Sequence, residues 1–470
     1  MEGLEIKEKK LYEVLYNKDF RIDSSFYTKE PKKNPNLIYA KIGEYLNSSQ
    51  YGISIEMNTD SVGYPIYRMN EIHDMLCDLD ADKYADITQA DFNKFALKDG
   101  DVLFNRTNSF EWVGRTGVYY QNDDIQRTFA SYLVRLNPKD GILSEYLCAY
   151  LSCKYGEWDV KRRARQSINQ TNVNPEEVKE IEIPLLDINL QQKVRDCFTQ
   201  ANSLRILSQK AYSDAELILH NELGTNAIAV ADVNVSQKRF SDFVDSGRLD
   251  AEYYQPKYNI LKDKLKSYKY GYYNLSEIAK TYRGDLISDT LYTTDNTGVA
   301  YIRGADISSN ILTSEKCVYI DRTFIATKEI RCKTNDLVFA LIGSVGTVAR
   351  VTDNFSGSFI SNNLGLIRLN SDADISAEYL HLLLTSPQIG KWLFEQKEMK
   401  TAQPKISDKD IFDFIIPKLD REIQQQIVNK VNKSFALRKE SHRLLNLAKT
   451  MVETTIEKGE NVAMKLLNIE

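Results

Sequence analysis

Between Asp187 and Gly224 apolar residues fall on every seventh position, at Leu190, Cys197, Leu204, Ala211 and Ile218. Val194, Ala201, Ser208 and Ala215 follow the first four of these by four positions. This heptad spacing predicts one uninterrupted helix with a narrow apolar seam. No proline lies inside the stretch and Gly224 supplies a stop, so about 35 residues rising 1.5 Å each would reach roughly 50 Å. So narrow a seam needs a partner. A second proline-free stretch, from about Arg421 to Lys458, repeats the spacing at Leu437, Leu444 and Met451, with Ser434, Ser441 and Ala448 beside them. The small residues in both seams permit close approach, and an antiparallel coiled-coil pair suits two helices separated by a globular segment. The alternative is two unrelated amphipathic surface helices.

The rest of the chain alternates short apolar runs with turn residues, and does so twice. Arg21-Ile-Asp-Ser-Ser-Phe-Tyr27 returns 227 positions later as Arg248-Leu-Asp-Ala-Glu-Tyr-Tyr254. Tyr67-Arg68 with Ile72 matches Ile302-Arg303 with Ile307. Lys98-Asp-Gly-Asp-Val-Leu-Phe104 answers Lys333-Thr-Asn-Asp-Leu-Val-Phe339, a turn followed by a short strand. Val113-Gly114 with Thr116 recurs as Val345-Gly346-Thr347. From there the offset is 233: Leu133 to Asn137 on Leu366 to Asn370, Glu145 to Leu147 on Glu378 to Leu380, Pro184 on Pro417. The ordered matches predict a tandem duplication, each copy a globular domain of about 185 residues followed by a long helix.

Within each copy strands dominate the first two thirds. Helical patterns follow at about 143 to 158 and 376 to 396. Asn174 and Ser407 read as N-caps of a further short helix in each copy, with Pro175 in the first turn and Glu177 and Asp410 three residues past the caps. The expected organisation is α+β with an internal pseudo-two-fold repeat: domains at 1–186 and 236–418, long helices within 187–235 and 419–470.

Composition narrows the class. A chain of 470 residues with 42% apolar content is too long for one core and is expected to hold at least two domains. No apolar run reaches bilayer length and MEGLEIKEKK lacks a signal-peptide core, so a cytoplasmic protein is expected. The six cysteines have no metal-ligand spacing and read as reduced structural thiols. A net charge of −5 argues against a surface that coats nucleic acid but leaves room for local basic clefts.

The common catalytic signatures, GxxxxGK[ST], HExxH, GxSxG and Asn-Pro-Pro-aromatic, are absent, and four histidines leave little for a histidine-based site. No catalytic residue, bound cofactor or metal is expected. The positive signal is a polar, basic pattern at equivalent loops. Lys161, Arg162, Arg163, Arg165, Gln166 and Gln170 lie in a stretch without an acid between Val160 and Pro175. Arg and Lys suit phosphate and guanine contacts, Asn and Gln suit adenine, so the mixture can carry both affinity and specificity toward DNA. The second copy offers Lys400, Gln403 and Lys405, diluted by Glu395 and Glu398. A second cluster, Asn105, Arg106, Thr107 and Asn108 with Arg115, follows an apolar strand and is answered by Ser344, Asn362 and Asn363. Arg68 and Arg303, equivalent in the repeat, complete the candidate DNA-binding set. Each cluster could instead be a solvated loop satisfying its own turns.

The two-copy layout, the Arg-Leu-Asp-Ala-Glu-Tyr-Tyr opening, Asp-Val-Leu-Phe-Asn-Arg-Thr-Asn-Ser with Val-Gly-Arg-Thr-Gly, Ala-Ser-Tyr-Leu-Val-Arg-Leu, and Ile-Pro-Leu before a Gln-Gln-containing helix together resemble the specificity subunit of type I restriction-modification systems. The resemblance covers nearly the whole chain. The chain departs from the family pattern in a missing second proline and in Leu190 and Ile423, which stand where the family has Glu before Gln. The resemblance implies that each globular domain is a target recognition domain for one half of a split DNA site. The helices would set the gap and dock two methyltransferase subunits, which hold S-adenosylmethionine and flip the target adenine. A motor nuclease subunit would join for cleavage. Two other classes stay open: a divergent DNA nuclease, which would show divalent-metal dependence, and a non-catalytic protein scaffold, which would show no salt-sensitive DNA affinity.

Overall fold

A computed structural model describes residues 6–15, 20–31, 33–168, 170–226, 228, 236–293, 297–314, 317–324 and 330–468. The chain divides into two units, Met1–Leu207 with Leu437–Glu470, and Ser208–Ala436.

In unit one, six strands form a sheet in the order Leu46–Tyr51, Leu133–Pro138, Val102–Asn105, Thr116–Val118, Leu76–Cys77, Ile72–His73. Strand Val102–Asn105 sits centrally, antiparallel to both neighbours, with Val134 opposite Phe104 and Val118 opposite Val102. Its sequence is apolar without alternation because both faces are covered. Val102 and Phe104 join the core built on helix Ser144–Ser152, and Leu103 joins Tyr67, Tyr119 and Phe129 on the other face. Strands Tyr39–Lys41 and Glu182–Pro184 pair antiparallel at the base, where the Tyr146 hydroxyl donates to the Pro184 carbonyl at 2.6 Å.

Unit two repeats this plan. Its six strands run Ala279–Arg283, Leu364–Leu369, Leu337–Ala340, Val348–Arg350, Ile311–Leu312, Ile307–Ser308, the same order element for element. Strand Tyr272–Asn274 pairs with Ile415–Pro417, and the Tyr379 hydroxyl donates to the Pro417 carbonyl at 2.9 Å. The internal repeat is therefore a repeat of topology and of side-chain bonding.

The helical patterns after the sheets are each broken into two helices, Ser144–Ser152 with Lys154–Arg163 and Ala377–Thr385 with Gly390–Lys397. A glycine near the start of each second helix makes the crossing possible. A Cβ at Gly156 would lie 2.0 Å from the Tyr150 carbonyl oxygen, and one at Gly390 would lie 1.9 Å from that of Leu384.

The heptad stretches fold as helices Ile188–Leu223, of 36 residues and about 54 Å, and Arg421–Lys458, of 38 residues. Gly224 ends the first with φ +62. In unit one Leu190, Val194, Cys197 and Ala201 share a core with Leu444, Ala448 and Met451, and the Ser441 hydroxyl donates to the Ala201 carbonyl at 2.7 Å. Asp187, earlier in the first helix's lead, meets Glu460, later than the second, so the pairing is antiparallel. In unit two Ser208 bonds Ser434 and Lys430 pairs with Asp214, again antiparallel. The molecule is α+β, with two similar globular domains and two long antiparallel helices.

One expected element is absent. Asn174 caps helix Pro175–Lys179 through a 3.0 Å bond from the Glu176 amide, but the stretch after Ser407 is a series of turns. The Ser407 amide does donate to Asp410 at 2.6 Å, yet Asp408, Asp410 and Asp413 are poor helix formers and no proline occupies the first turn. The six cysteines are buried free thiols, and burial raises their pKa, to about 11 at Cys197 and about 12 at Cys153, Cys317 and Cys332.

Candidate nucleic-acid interface

The two polar clusters of the first copy, some sixty positions apart in sequence, meet in one small sheet. Strand Thr107–Asn108 pairs with Thr171–Asn172, which pairs with Arg165–Gln166. Asn108 lies opposite Thr171, and Thr171 opposite Gln166. The Thr107 hydroxyl donates to Asn172 Oδ1 at 2.7 Å, fixing the ribbon to the main sheet's end. Arg165, Gln166, Ser167, Ile168 and Gln170 are all exposed there. Arg165 is held at 3.3 Å by Glu177 while half its side chain stays in solvent.

Lys161 sets the adjoining loop. Its ammonium donates to the carbonyls of Phe110, Glu111 and Val113, the last at 2.8 Å, and sits 5.2 Å from the centre of the Phe110 ring. Arg115 stacks on Trp112 at 3.6 Å and donates to the Ile72 carbonyl at 3.4 Å. Arg106 covers the Tyr51 ring at 5.1 Å.

The structure turns other candidates inward. Asn105 is fully buried and braces the loop, its Oδ1 accepting the Thr107 amide at 3.2 Å and its Nδ2 donating to the Trp112 carbonyl at 3.4 Å. Arg162 and Arg163 share Asp159 at 2.5 and 3.1 Å and flank the Phe26 ring. Burial lowers the Arg162 pKa, against the opposing pull of Asp159. Their place is within the domain rather than on the ribbon. Arg68 and Arg303 belong to a third feature: each donates its amide to a carboxylate three residues on, Glu71 at 2.6 Å and Asp306 at 2.8 Å, closing equivalent turns.

Unit two builds the same ribbon with fewer ladder bonds. Lys405 bridges both Ile342 and Met399, the Gly343 amide donates to the Pro404 carbonyl at 2.9 Å, and Ser344, Lys400, Gln403 and Lys405 are exposed. Asn362 and Asn363 contribute main-chain carbonyls, to Arg283 at 2.9 Å and to the Leu341 amide at 2.9 Å. Charge is more balanced here, since Lys400 pairs with Glu398 at 2.6 Å and Lys397 with Asp413 at 2.7 Å.

The repeated Arg-(Ile/Leu)-Asp motif, which the sequence marks without a role, anchors both ribbons from behind. Arg21 donates to the Arg163 carbonyl at 2.8 Å and pairs with Asp23 at 2.8 Å. Arg248 donates to the carbonyls of Lys397 and Glu398 at 3.2 and 3.0 Å and pairs with Asp250 at 2.5 Å. Each guanidinium thus caps the last carbonyls of the helix leading into its ribbon. The tyrosine six residues on, Tyr27 or Tyr254, donates back to the arginine's own carbonyl at 2.8 or 2.9 Å.

A doubled α+β domain, each copy carrying an exposed polar ribbon and joined to a long helix, defines the class of the fold. The family model described as type I restriction modification DNA specificity domain matches residues 6–212 and 268–445, and the chain belongs to that family. It is 27% identical over 166 residues to the putative type I restriction enzyme MjaX specificity subunit of Methanocaldococcus jannaschii, a stretch covering 35% of this chain and 39% of that one. It is 23% identical over 164 residues to the type I restriction enzyme EcoKI specificity subunit of Escherichia coli K12, covering 34% of this chain and 35% of that one. The matched stretches thus span well under half of these relatives' own lengths. The crystal structure of a type I restriction-modification S subunit from M. genitalium aligns over 93% of this chain and 98% of its own, at 13% identity and a TM-score of 0.35. Among the described residues no helix is long and apolar enough to cross a membrane.

Proposed function

We propose that this chain is the DNA-reading subunit of a type I restriction-modification complex, acting in the cytoplasm without catalytic groups, bound cofactor or metal of its own. Each globular domain, 1–186 and 236–418, reads one half of a split double-stranded DNA target. The helices within 187–235 and 419–470 set the gap and dock two methyltransferase subunits, which hold the S-adenosylmethionine. A motor nuclease subunit joins where the system cleaves.

The observation that carries this reading is the convergence of the two polar clusters on one exposed ribbon, and its recurrence at the equivalent place in the second copy. Exposed cations beside amide side chains provide phosphate contact and base readout from one rigid element. A helix of about 54 Å corresponds to roughly 16 base pairs at 3.4 Å each, enough to put two half-sites about one turn apart on one face. The net charge of −5 makes DNA affinity of the isolated chain weak and gives the partners a part in closing the complex.

Co-expression with a type I methyltransferase subunit, followed by mapping of N6-methyladenine in the host DNA, tests the reading. A bipartite methylated motif supports it. DNA cleavage by the purified chain with a divalent metal would favour the nuclease class instead.

A further inference from the structure

The two ribbon tips share a chemical pattern that the fold alone does not require. In unit one the tip is Ser167-Ile168-Asn169-Gln170, with Asn169 outside the described residues. In unit two the equivalent positions are Lys400-Thr401-Ala402-Gln403. The offset of 233 places Gln170 on Gln403 and Ile168 on Thr401.

In each tip a hydroxyl bonds the main-chain carbonyl of the glutamine, from three residues before it in unit one and from two residues before it in unit two. The Ser167 hydroxyl donates to the main-chain carbonyl of Gln170 at 2.7 Å, and the Ser167 amide donates to it at 2.8 Å. In unit two the Thr401 hydroxyl donates to the main-chain carbonyl of Gln403. A side-chain hydroxyl therefore closes each tip onto its glutamine, and the Thr401 hydroxyl spends its one hydrogen in doing so while its methyl group makes no hydrogen bond. Ile168 is 99% exposed, at the end of a ribbon that is otherwise polar. Both glutamines are exposed as well.

We propose that each ribbon tip reads one A·T base pair, Gln170 and Gln403 taking the adenine and Ile168 and Thr401 the thymine methyl. The proposal rests on the DNA-reading function above and names one base pair in each half-site. A primary amide presents one acceptor and one donor, the complement of adenine N6–H and N7, and thymine alone among the bases carries a methyl in the major groove. A G·C pair shows guanine with two acceptors and no methyl on cytosine, so guanine meets only the donor half of the amide and the apolar contact is lost. The major groove, about 12 Å wide, admits a two-stranded ribbon. Arg165 beside the first tip and Lys400 and Lys405 beside the second are exposed cations that suit the flanking phosphates.

The test uses the chain in complex with its methyltransferase, after the wild-type methylated motif has been mapped. Each thymine of the target duplex is replaced in turn by uracil, which removes only the methyl. For the wild type, one replacement in each half is expected to weaken binding severalfold. Ile168→Ala should abolish that penalty in one half only, and Thr401→Ser in the other half only. Gln170→Ala should cut the preference for A·T over G·C by about tenfold at one position, leaving the other half-site as strict as before. If the wild type binds every uracil duplex as tightly as the parent, and Gln170→Ala methylates an unaltered motif, the proposal is overturned while the two-half reading stands. A target with no bipartite motif at all would overturn that reading and the proposal with it.

Discussion

The side-chain carbonyl of Gln191 accepts the Leu143 amide at 2.9 Å, and its side-chain amide donates to the carbonyls of Gly141 and Leu186, both at 3.0 Å. Gln424 makes the same three bonds in unit two, with Ser376, Asp374 and Leu419, each at 3.1 Å. Both residues are buried, at 1% and 7% exposure. One amide in each unit thus fastens the first turns of a long helix to the domain from which it emerges.

Gln191→Leu would leave three main-chain groups without their partner in a buried place, and is expected to destabilise unit one by roughly 2–4 kcal/mol. Gln192 is exposed, so Gln192→Leu should change stability by less than about 0.5 kcal/mol. Urea unfolding of the two variants checks this. Equal effects would contradict the fastening role.

The long helices were legible because a seam of fixed period is a local property. Leu190, Val194, Cys197, Ala201, Ser208, Ala211 and Ala215 are all buried, as the spacing predicts. The doubled topology was legible because anchors recurred in order. Side-chain fate was not. The run Lys161 to Arg165 reads as one basic patch, yet only Arg165 reaches the ribbon surface, because Arg162 and Arg163 close onto Asp159 and onto Phe26, whose nearness depends on the tertiary fold. The role of Gln191 and the capping by Arg21 and Arg248 escaped the sequence for the same reason: their acceptors are main-chain carbonyls, which have no residue signature. The broken helices at Gly156 and Gly390 follow from close crossing, another feature no local pattern states.

Arg165 and Arg163 should separate cleanly in experiment. Arg165→Gln removes an exposed cation and is expected to make the slope of log affinity for DNA against log salt shallower by about one, with little effect on folding. Arg163→Gln removes one member of a buried charge cluster and should instead lower stability by about 2–4 kcal/mol. Salt titration of DNA binding and denaturant unfolding distinguish the two outcomes.

His381 gives unit two a pH dependence. It is buried, its ring Nε2 lies 3.0 Å from the Asn310 carbonyl, and burial lowers its pKa to about 4. The folded state thus holds the neutral ring while the unfolded chain takes up a proton near pH 6.5, so stability is full above that pH and falls as the pH drops toward 4. The loss over that window is about 3 kcal/mol. Cys148 occupies the equivalent position in unit one, with its thiol 3.5 Å from the Met75 carbonyl. His381→Cys should therefore flatten the profile between about pH 6.5 and 4, as read by urea unfolding at a series of pH values. An unchanged slope would assign the acid sensitivity to other groups.

The most direct measurement of the central claim is an exchange of halves. Residues 1–186 and, separately, residues 236–418 would be replaced by the matching segments of a relative with a different target, each chimera co-expressed with the methyltransferase and its N6-methyladenine mapped. The account predicts a two-part motif in which the first exchange alters one half alone and the second alters the other, with the gap unchanged in both. A single exchange that rewrites both halves, or neither, would contradict it.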